Sequence, residues 1–198
     1  NCKGKRVLVI GGGDTGSDCV GTANRHKAES VTQIEIMPQP PVGSNPATPW
    51  PMYPLVLKTS SSHEEGCVRR WNLATTRFIG EKNNLKGVEV EEVEWLPASD
   101  GGRPEMRKTG KKEIIPADIV FLAMGFVHPE LEGLVQELKI AVDKRQNIAV
   151  DNNLETNINK VFACGDAITG ASLVVKAMAS GRPAALAIDR FLSKEQDV

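Results

Sequence analysis

Three short stretches of this chain carry residue types at spacings that can do chemistry. The first is Gly11-Gly12-Gly13-Asp14-Thr15-Gly16, which fits G-x-G-x-x-G with Gly11, Gly13 and Gly16 in the three required places. In such a turn the first glycine makes the tight bend. The second lets a pyrophosphate approach the backbone, the third lets a helix pack close to its strand, and the helix N-terminus offers N–H groups to phosphate. The bland alternative is a glycine turn that only packs a helix on a sheet. The second candidate is Glu35, 24 residues after Gly11, where an acidic side chain can accept from the hydroxyls of an adenosine ribose; otherwise it is a solvated glutamate. The third is Gly165-Asp166 behind Val161-Phe162-Ala163-Cys164, followed by Ser172-Leu173-Val174-Val175. There a carboxylate can face ribityl or ribose hydroxyls and a following helix N-terminus can face a flavin carbonyl, unless Asp166 is simply a helix cap.

The elements that must position these residues read as follows. Residues 6–10 form an apolar run stopped by glycines, a buried parallel strand. Residues 14–27 have helical spacing with Cys19, Val20 and Ala23 on one face, and residues 31–37 read as a second strand. That is the strand–turn–helix–strand context the glycine pattern requires. Seven of the 12 prolines crowd residues 38–57, among Trp50, Met52 and Tyr53, which predicts an ordered excursion packed on a surface. Val88, Val90, Val93 and Trp95 mark a strand with one slip of phase, a bulge. Asp100-Gly101-Gly102 predicts a hairpin turn, with residues 105–115 returning and residues 118–123 forming a last buried strand. Beyond a boundary near residue 126, a short helix is predicted over 129–138, strands over 147–150 and 161–164, and a helix over 173–192. The predicted class is α/β, with a Rossmann-like domain over 1–126 carrying a β-meander and an incomplete second domain over 127–198.

Composition excludes several classes. A formal net charge of -1 gives no footprint for nucleic acid, and no apolar run is long enough for a membrane helix. No signal peptide precedes the first strand, and an opening on Asn1 suggests a processed or excised piece. The four cysteines include no C-x-x-C pair, which argues against a redox disulfide or an iron–sulfur cluster and for reduced thiols in the cytoplasm. His26, His63 and His128 lack metal-site spacing, and Ser60, Ser61 and Ser62 lie in no G-x-S-x-G context, so zinc and serine-hydrolase chemistry are not expected. Arg107, Lys108, Lys111 and Lys112 read as a solvated hairpin.

Several longer stretches carry a resemblance. GKRVLVIGGGDTGSDCVGTANR, VTQIEIMPQPP, TPWPMYP, TSSSHEEG, DIVFLAMGFVHPE and VFACGDAITGASLVVKAMASGR are similar to the glutamate synthase small (β) subunit and to the matching region of single-chain NADH-dependent glutamate synthases. GGGDTG followed by AMGF and GD…SLVV resembles flavoproteins with two dinucleotide-binding domains, and the proline–Trp excursion narrows the likeness to glutamate synthases. The resemblance implies an oxidoreductase module that passes hydride from NAD(P)H to FAD. Electrons then go through iron–sulfur clusters to a large subunit that makes glutamate from 2-oxoglutarate and glutamine. It implies nicotinamide-dinucleotide contacts at Gly11, Gly12, Gly13, Asp14, Thr15, Gly16 and Glu35. It places Gly165 and Asp166 in the FAD site with Leu173 and Val174 at its flavin end, and counts Gly125 among the cofactor-binding positions. Hydride transfer between two cofactors needs positioning, so no catalytic side chain is nominated.

The sequence departs from that family in two ways. It has one glycine fingerprint and no cysteine cluster, so FAD is expected in the full-length protein and not in this chain alone. Self-association through residues 172–192 is then expected to cover an apolar helix face. Pro183 stands where relatives more often carry Ala, which predicts a break near Gly181 with Pro183 starting a new turn. NAD(H) is favoured over NADP(H), because Glu35 is acidic, residues 28–57 contain no Lys or Arg, and NADPH-using relatives commonly carry an arginine pair where this chain has Ile36 and Met37; the alternative is that distant Arg25, Lys58 or Arg70 folds back. Rival readings are another electron-input module, of the dihydropyrimidine dehydrogenase or ferredoxin reductase type, and a non-catalytic nucleotide-binding or assembly fragment.

Overall fold

A computed structural model describes residues 1–52, 55–98 and 104–196. The chain divides into two compact units, Asn1–Met124 and Gly125–Val198.

In the first unit, strand β1 (Arg6–Ile10) leads through the glycine turn to helix α1 (Asp14–Arg25) and then to β2 (Ser30–Ile34). A short strand β3 (Val68–Arg70) pairs parallel with β2, and β7 (Ile119–Leu122) pairs parallel with β1. The parallel sheet therefore runs β3-β2-β1-β7. Between β3 and β7 lies an antiparallel meander: β4 (Leu73–Glu81), β5 (Asn84–Leu96) and β6 (Glu105–Pro116). β4 turns into β5 through Lys82 and Asn83, both at positive φ, as a tight two-residue hairpin turn demands.

Strand alternation explains the core. β1 sends Val7 and Val9 to one side, where they pack with Val20 and Ala23 of α1, Val31 and Ala123. It sends Leu8 and Ile10 to the other, where they meet Ile34 and the meander residues Leu73, Val88, Val90 and Ile115. The first strand is thus buried on both faces, as a continuous apolar run requires. The slip in valine phase along β5 is a register shift between Glu91 and Val93 against β6, so the bulge is real. β2 ends at Ile34, three residues short of the expected strand, which leaves Glu35 just beyond it. The Asp100-Gly101-Gly102 turn lies outside the described residues.

β1 and β7 are also tied by charge. Asp118 accepts from the Arg6 backbone N–H at 2.9 Å and from its guanidinium at 3.0 and 2.7 Å. These bonds hold the Asp118 carboxyl far below the usual carboxylate range. A depressed carboxyl contributes stability that is full above its unfolded value near 4 and lost as pH falls toward the folded value. Asp118→Asn is therefore expected to melt at a lower temperature than the parent at pH 7, with the gap closing on acidification. Thermal melts from pH 7 to pH 2 check this; a constant gap counts against it.

The second unit departs more from expectation. Residues 147–150 and 161–164 make isolated bridges, Val142↔Ile148 and Glu155↔Phe162, rather than strands. An apolar run becomes a strand only with a continuous ladder to a neighbouring backbone, and the described part of this unit supplies single bridges and scattered bonds. The helix expected over 129–138 shrinks to α3 (Leu134–Glu137). A single-turn helix α4 (Asp166–Thr169) follows Gly165. Helix α5 (Val174–Gln196) runs through Pro183 without the expected break. Proline removes one backbone donor, and the bonds on either side carry a helix of 23 residues past it. Among the described residues no helix is long and apolar enough to cross a membrane.

Candidate dinucleotide site

The first unit's site is built on the turn between β1 and α1. Gly11 sits at φ 125, and a Cβ there would lie 2.1 Å from the Ala123 carbonyl oxygen, so the turn touches the end of β7. Gly16 packs equally close: its Cβ would lie 2.2 Å from the Gly11 carbonyl oxygen and 2.7 Å from Gln33 Nε2. Gly13 is different, since a Cβ there would meet nothing within 4 Å. It is also the N-cap of α1, and no side chain caps that helix end. An uncapped helix N-terminus beside empty space is where a phosphate fits.

Glu35 closes the other side. Its Oε2 accepts from the Gly12 N–H at 2.6 Å, and its Oε1 accepts from the N–H groups of Ile36 at 2.7 Å and Met37 at 3.2 Å. The strand-end carboxylate is therefore fixed against the glycine turn, with one lone pair of Oε2 still free for a ribose hydroxyl. Gly12, Gly13, Asp14 and Glu35 line one open cleft of about 410 Å³. Thr15 occupies the first turn of α1.

The proline excursion supplies the apolar wall of that cleft through Pro38, Pro40, Leu55 and Leu57. Its neck is held by Leu57 N–H donating to the Pro41 carbonyl at 2.8 Å and Asn45 Nδ2 to the Leu55 carbonyl at 2.8 Å. Trp50, at 92% exposure, and Met52 point outward instead of packing on a surface as expected. Tyr53 and Pro54 lie outside the described residues.

Sequence reading missed Ser17, Ser60, His63, Arg69 and Trp71 in the cleft, while Lys58, one of the three distant cations it named, does fold back there. Arg69 donates to the Lys58 carbonyl at 3.0 Å and the Thr59 hydroxyl at 3.4 Å, and its guanidinium lies 5.2 Å from the Trp71 ring centroid. The absence of cations from residues 28–57 thus does not leave the cleft without positive charge. Helix α2 (Ser61–Glu64) brings in His63, capped by Ser60. A Ser followed three residues on by a hydrogen-bonding side chain was the available signal.

The four cysteines are free, and burial pushes the Cys19 and Cys67 thiols up, away from thiolate.

The remaining candidates fall in the second unit. Gly125 sits at φ 81 at its start. Gly165, at φ 65, donates its N–H to Ser180 Oγ at 2.6 Å, and Asp166 accepts from the Ser172 hydroxyl at 3.2 Å. Leu173 and Val174 are exposed at the start of α5. Gly165 and Asp166 are thus held by the loop and helix that follow them.

The family model described as pyridine nucleotide-disulphide oxidoreductase matches residues 1–181. The chain belongs to that family. It is 44% identical over 190 residues to the glutamate synthase [NADPH] small chain of Mycobacterium tuberculosis, covering 96% of this chain and 38% of that protein. It is 38% identical over 200 residues to glutamate synthase [NADH] of Saccharomyces cerevisiae, covering 96% of this chain and 9% of that protein. The chain thus spans 38% of the bacterial small chain's length. Among solved structures, the thioredoxin reductase of T. acidophilum superposes with a TM-score of 0.61 at 25% identity, covering 94% of this chain and 52% of that one. FprA of Mycobacterium tuberculosis, in complex with NADPH, gives 0.67 at 13% identity, covering 99% and 54%, a likeness of fold alone. The family's α/β architecture is the one described above: a parallel sheet with a glycine turn and an antiparallel meander on its other face.

Proposed function

We propose that the first unit binds NAD(P)H in the cleft beside Gly11–Gly16, as the electron-input part of a glutamate synthase. The observation that carries the reading is the pairing of an uncapped α1 N-terminus over the open Gly13 with a carboxylate at the end of β2. The pyrophosphate would rest against Gly12, Gly13, Asp14, Thr15 and Gly16, and the adenosine ribose against Glu35. A reduced nicotinamide supplies hydride and a flavin accepts it; this chain's own residues bind and orient. The identity to glutamate synthases over 96% of the chain favours glutamate formation as the destination of the electrons, through a large subunit or domain.

The second unit supplies Gly125, Gly165, Asp166, Leu173 and Val174 toward FAD. No second glycine turn on a strand is present among its described residues to hold a pyrophosphate, so the chain alone is expected to purify colourless. The full-length protein would hold FAD with parts outside the region matched here. Residues 172–192 expose Val174, Val175, Met178 and Leu186, and this face is expected to self-associate in the isolated chain. Residues 1–126 are proposed to fold as one domain. The free cysteines suit a cytoplasmic setting.

Calorimetric titration with NADH and NADPH tests the reading. NADH is expected to bind, and more tightly than NADPH. Failure of both to bind, or a yellow preparation with stoichiometric FAD, overturns it.

A further inference from the structure

Helix α2 starts with a capping box in which an imidazole stands where Glu or Gln is usual. Ser60 Oγ accepts from the His63 backbone N–H at 3.4 Å, and His63 Nδ1 accepts from the Ser60 N–H at 3.1 Å and lies 3.0 Å from its hydroxyl. The other ring nitrogen, Nε2, lies 2.9 Å from Gln33 Oε1. Gln33 is 2% exposed, and its Nε2 donates to the Gly11 carbonyl at 2.9 Å. That bond fixes the amide, so Oε1 is the acceptor and the imidazole must carry its proton on Nε2. Nδ1 is then bare, and its one lone pair faces the Ser60 N–H and hydroxyl. Ser17, on the first turn of α1, shares a hydrogen bond with Ser60 Oγ, 2.5 Å away, in which either hydroxyl can be the donor.

The bonds form one chain, Ser17–Ser60–His63–Gln33–Gly11, in which His63 donates to Gln33 and Gln33 to Gly11. Its ends grip the glycine turn from both sides, Gly11 before it and Ser17 after it. Packing agrees, since a Cβ on Gly16 would strike Gln33 and one on Gly21 would lie 2.5 Å from Ser62 Oγ. Only a neutral imidazole protonated on Nε2 satisfies every partner. A proton on Nδ1 would face the Ser60 N–H, donor against donor, and break the cap and the chain together.

We propose that His63 is a positioning residue for the dinucleotide turn: as a neutral imidazole it clamps α2, β2 and the first turn of α1 together, and protonation of Nδ1 releases the clamp. The proposal rests on reading Gly11–Gly16 as the dinucleotide site. The charged groups sharing the cleft with His63 are Asp14 of α1, Glu35 beyond β2, Lys58 before α2 and Arg69 of β3, while Glu64 and Glu65 continue α2 itself. Burial, aided by Arg69, lowers the imidazole's proton affinity. The clamp is therefore fully closed above the ordinary imidazole value of 6.5 and opens as pH falls through the lowered folded value.

The test is titration of the whole 198-residue chain with NAD⁺ from pH 7.5 to pH 5. Wild-type affinity is expected to fall about five- to tenfold, the scale of one or two hydrogen bonds. In His63→Gln, residue 63 still offers an acceptor to the Ser60 N–H and does not titrate, so its affinity should change less than about twofold. The neighbouring charges are the same in both proteins and cancel in the comparison. A flat wild-type profile, or an equal acid loss in His63→Gln, overturns the proposal. Should NAD⁺ bind at no pH, the cofactor reading falls and the clamp is judged separately by hydrogen exchange. Acid should then expose the Ser17 amide more in wild type than in His63→Gln, and equal exposure overturns it.

Discussion

Gly13→Ala is expected to lower dinucleotide affinity at least about tenfold while costing no more than about 1 kcal/mol of stability. Gly11→Ala is expected to cost about 3 kcal/mol of stability or more. The two glycines differ in what surrounds them. Gly13 has an extended backbone, φ -81 and ψ -172, which any residue adopts, and its missing Cβ would meet nothing within 4 Å. The folded protein therefore loses only a modest N-cap preference. The methyl fills the space a pyrophosphate needs, so the loss appears in binding. Gly11 combines φ 125 with a Cβ position 2.1 Å from the Ala123 carbonyl oxygen and 2.6 Å from its carbon. That carbonyl is backbone, and the Ala123 N–H is bonded to Ile10 at 2.7 Å, so it cannot swing aside as a side chain would. Denaturant unfolding and calorimetry on both variants check the split. Wild-type affinity in Gly13→Ala would remove the phosphate from that space.

What was legible in the sequence was what local pattern decides. The run at residues 6–10, the glycines and the helix after them name their own conformations, since strand burial, turn and helix period are written in adjacent residues. The valine phase along β5 even located its bulge. What was not legible depends on distant partners. β3 is three residues long and contains two arginines, and it is a strand only because β2 offers it an edge. The runs 147–150 and 161–164 have strand composition and no ladder to join. His63 looked like a stray histidine because its meaning lies in Gln33, 30 residues away in sequence, and in Ser17 beyond it. Arg69 likewise joins Lys58 in the cleft by the path of the chain, which no count of charges near β2 anticipates.

Those two cations sharpen the last prediction. Glu35→Ala is expected to weaken NADH about tenfold or more and to bring NADPH level with it or ahead. Losing a charge-assisted bond to ribose is worth about 1.5–3 kcal/mol. The bonds from Gly12, Ile36 and Met37 to Glu35 lie at an exposed site, so water can replace them and the turn should persist. In the parent, a 2′-phosphate would enter beside a fixed carboxylate, and that repulsion opposes whatever Lys58 and Arg69 provide. Once the carboxylate is gone, the same cleft holds two cations and no strand-end anion, a setting that suits a phosphate. Adding Arg69→Gln to Glu35→Ala should then reduce NADPH affinity more than NADH affinity, because the 2′-phosphate adds charge to the pyrophosphate that both cofactors carry. Six titrations, two cofactors against the parent and the two variants, decide the matter. An unchanged NADH-to-NADPH ratio in Glu35→Ala would show that Glu35 only braces the glycine turn and that cofactor choice is made elsewhere.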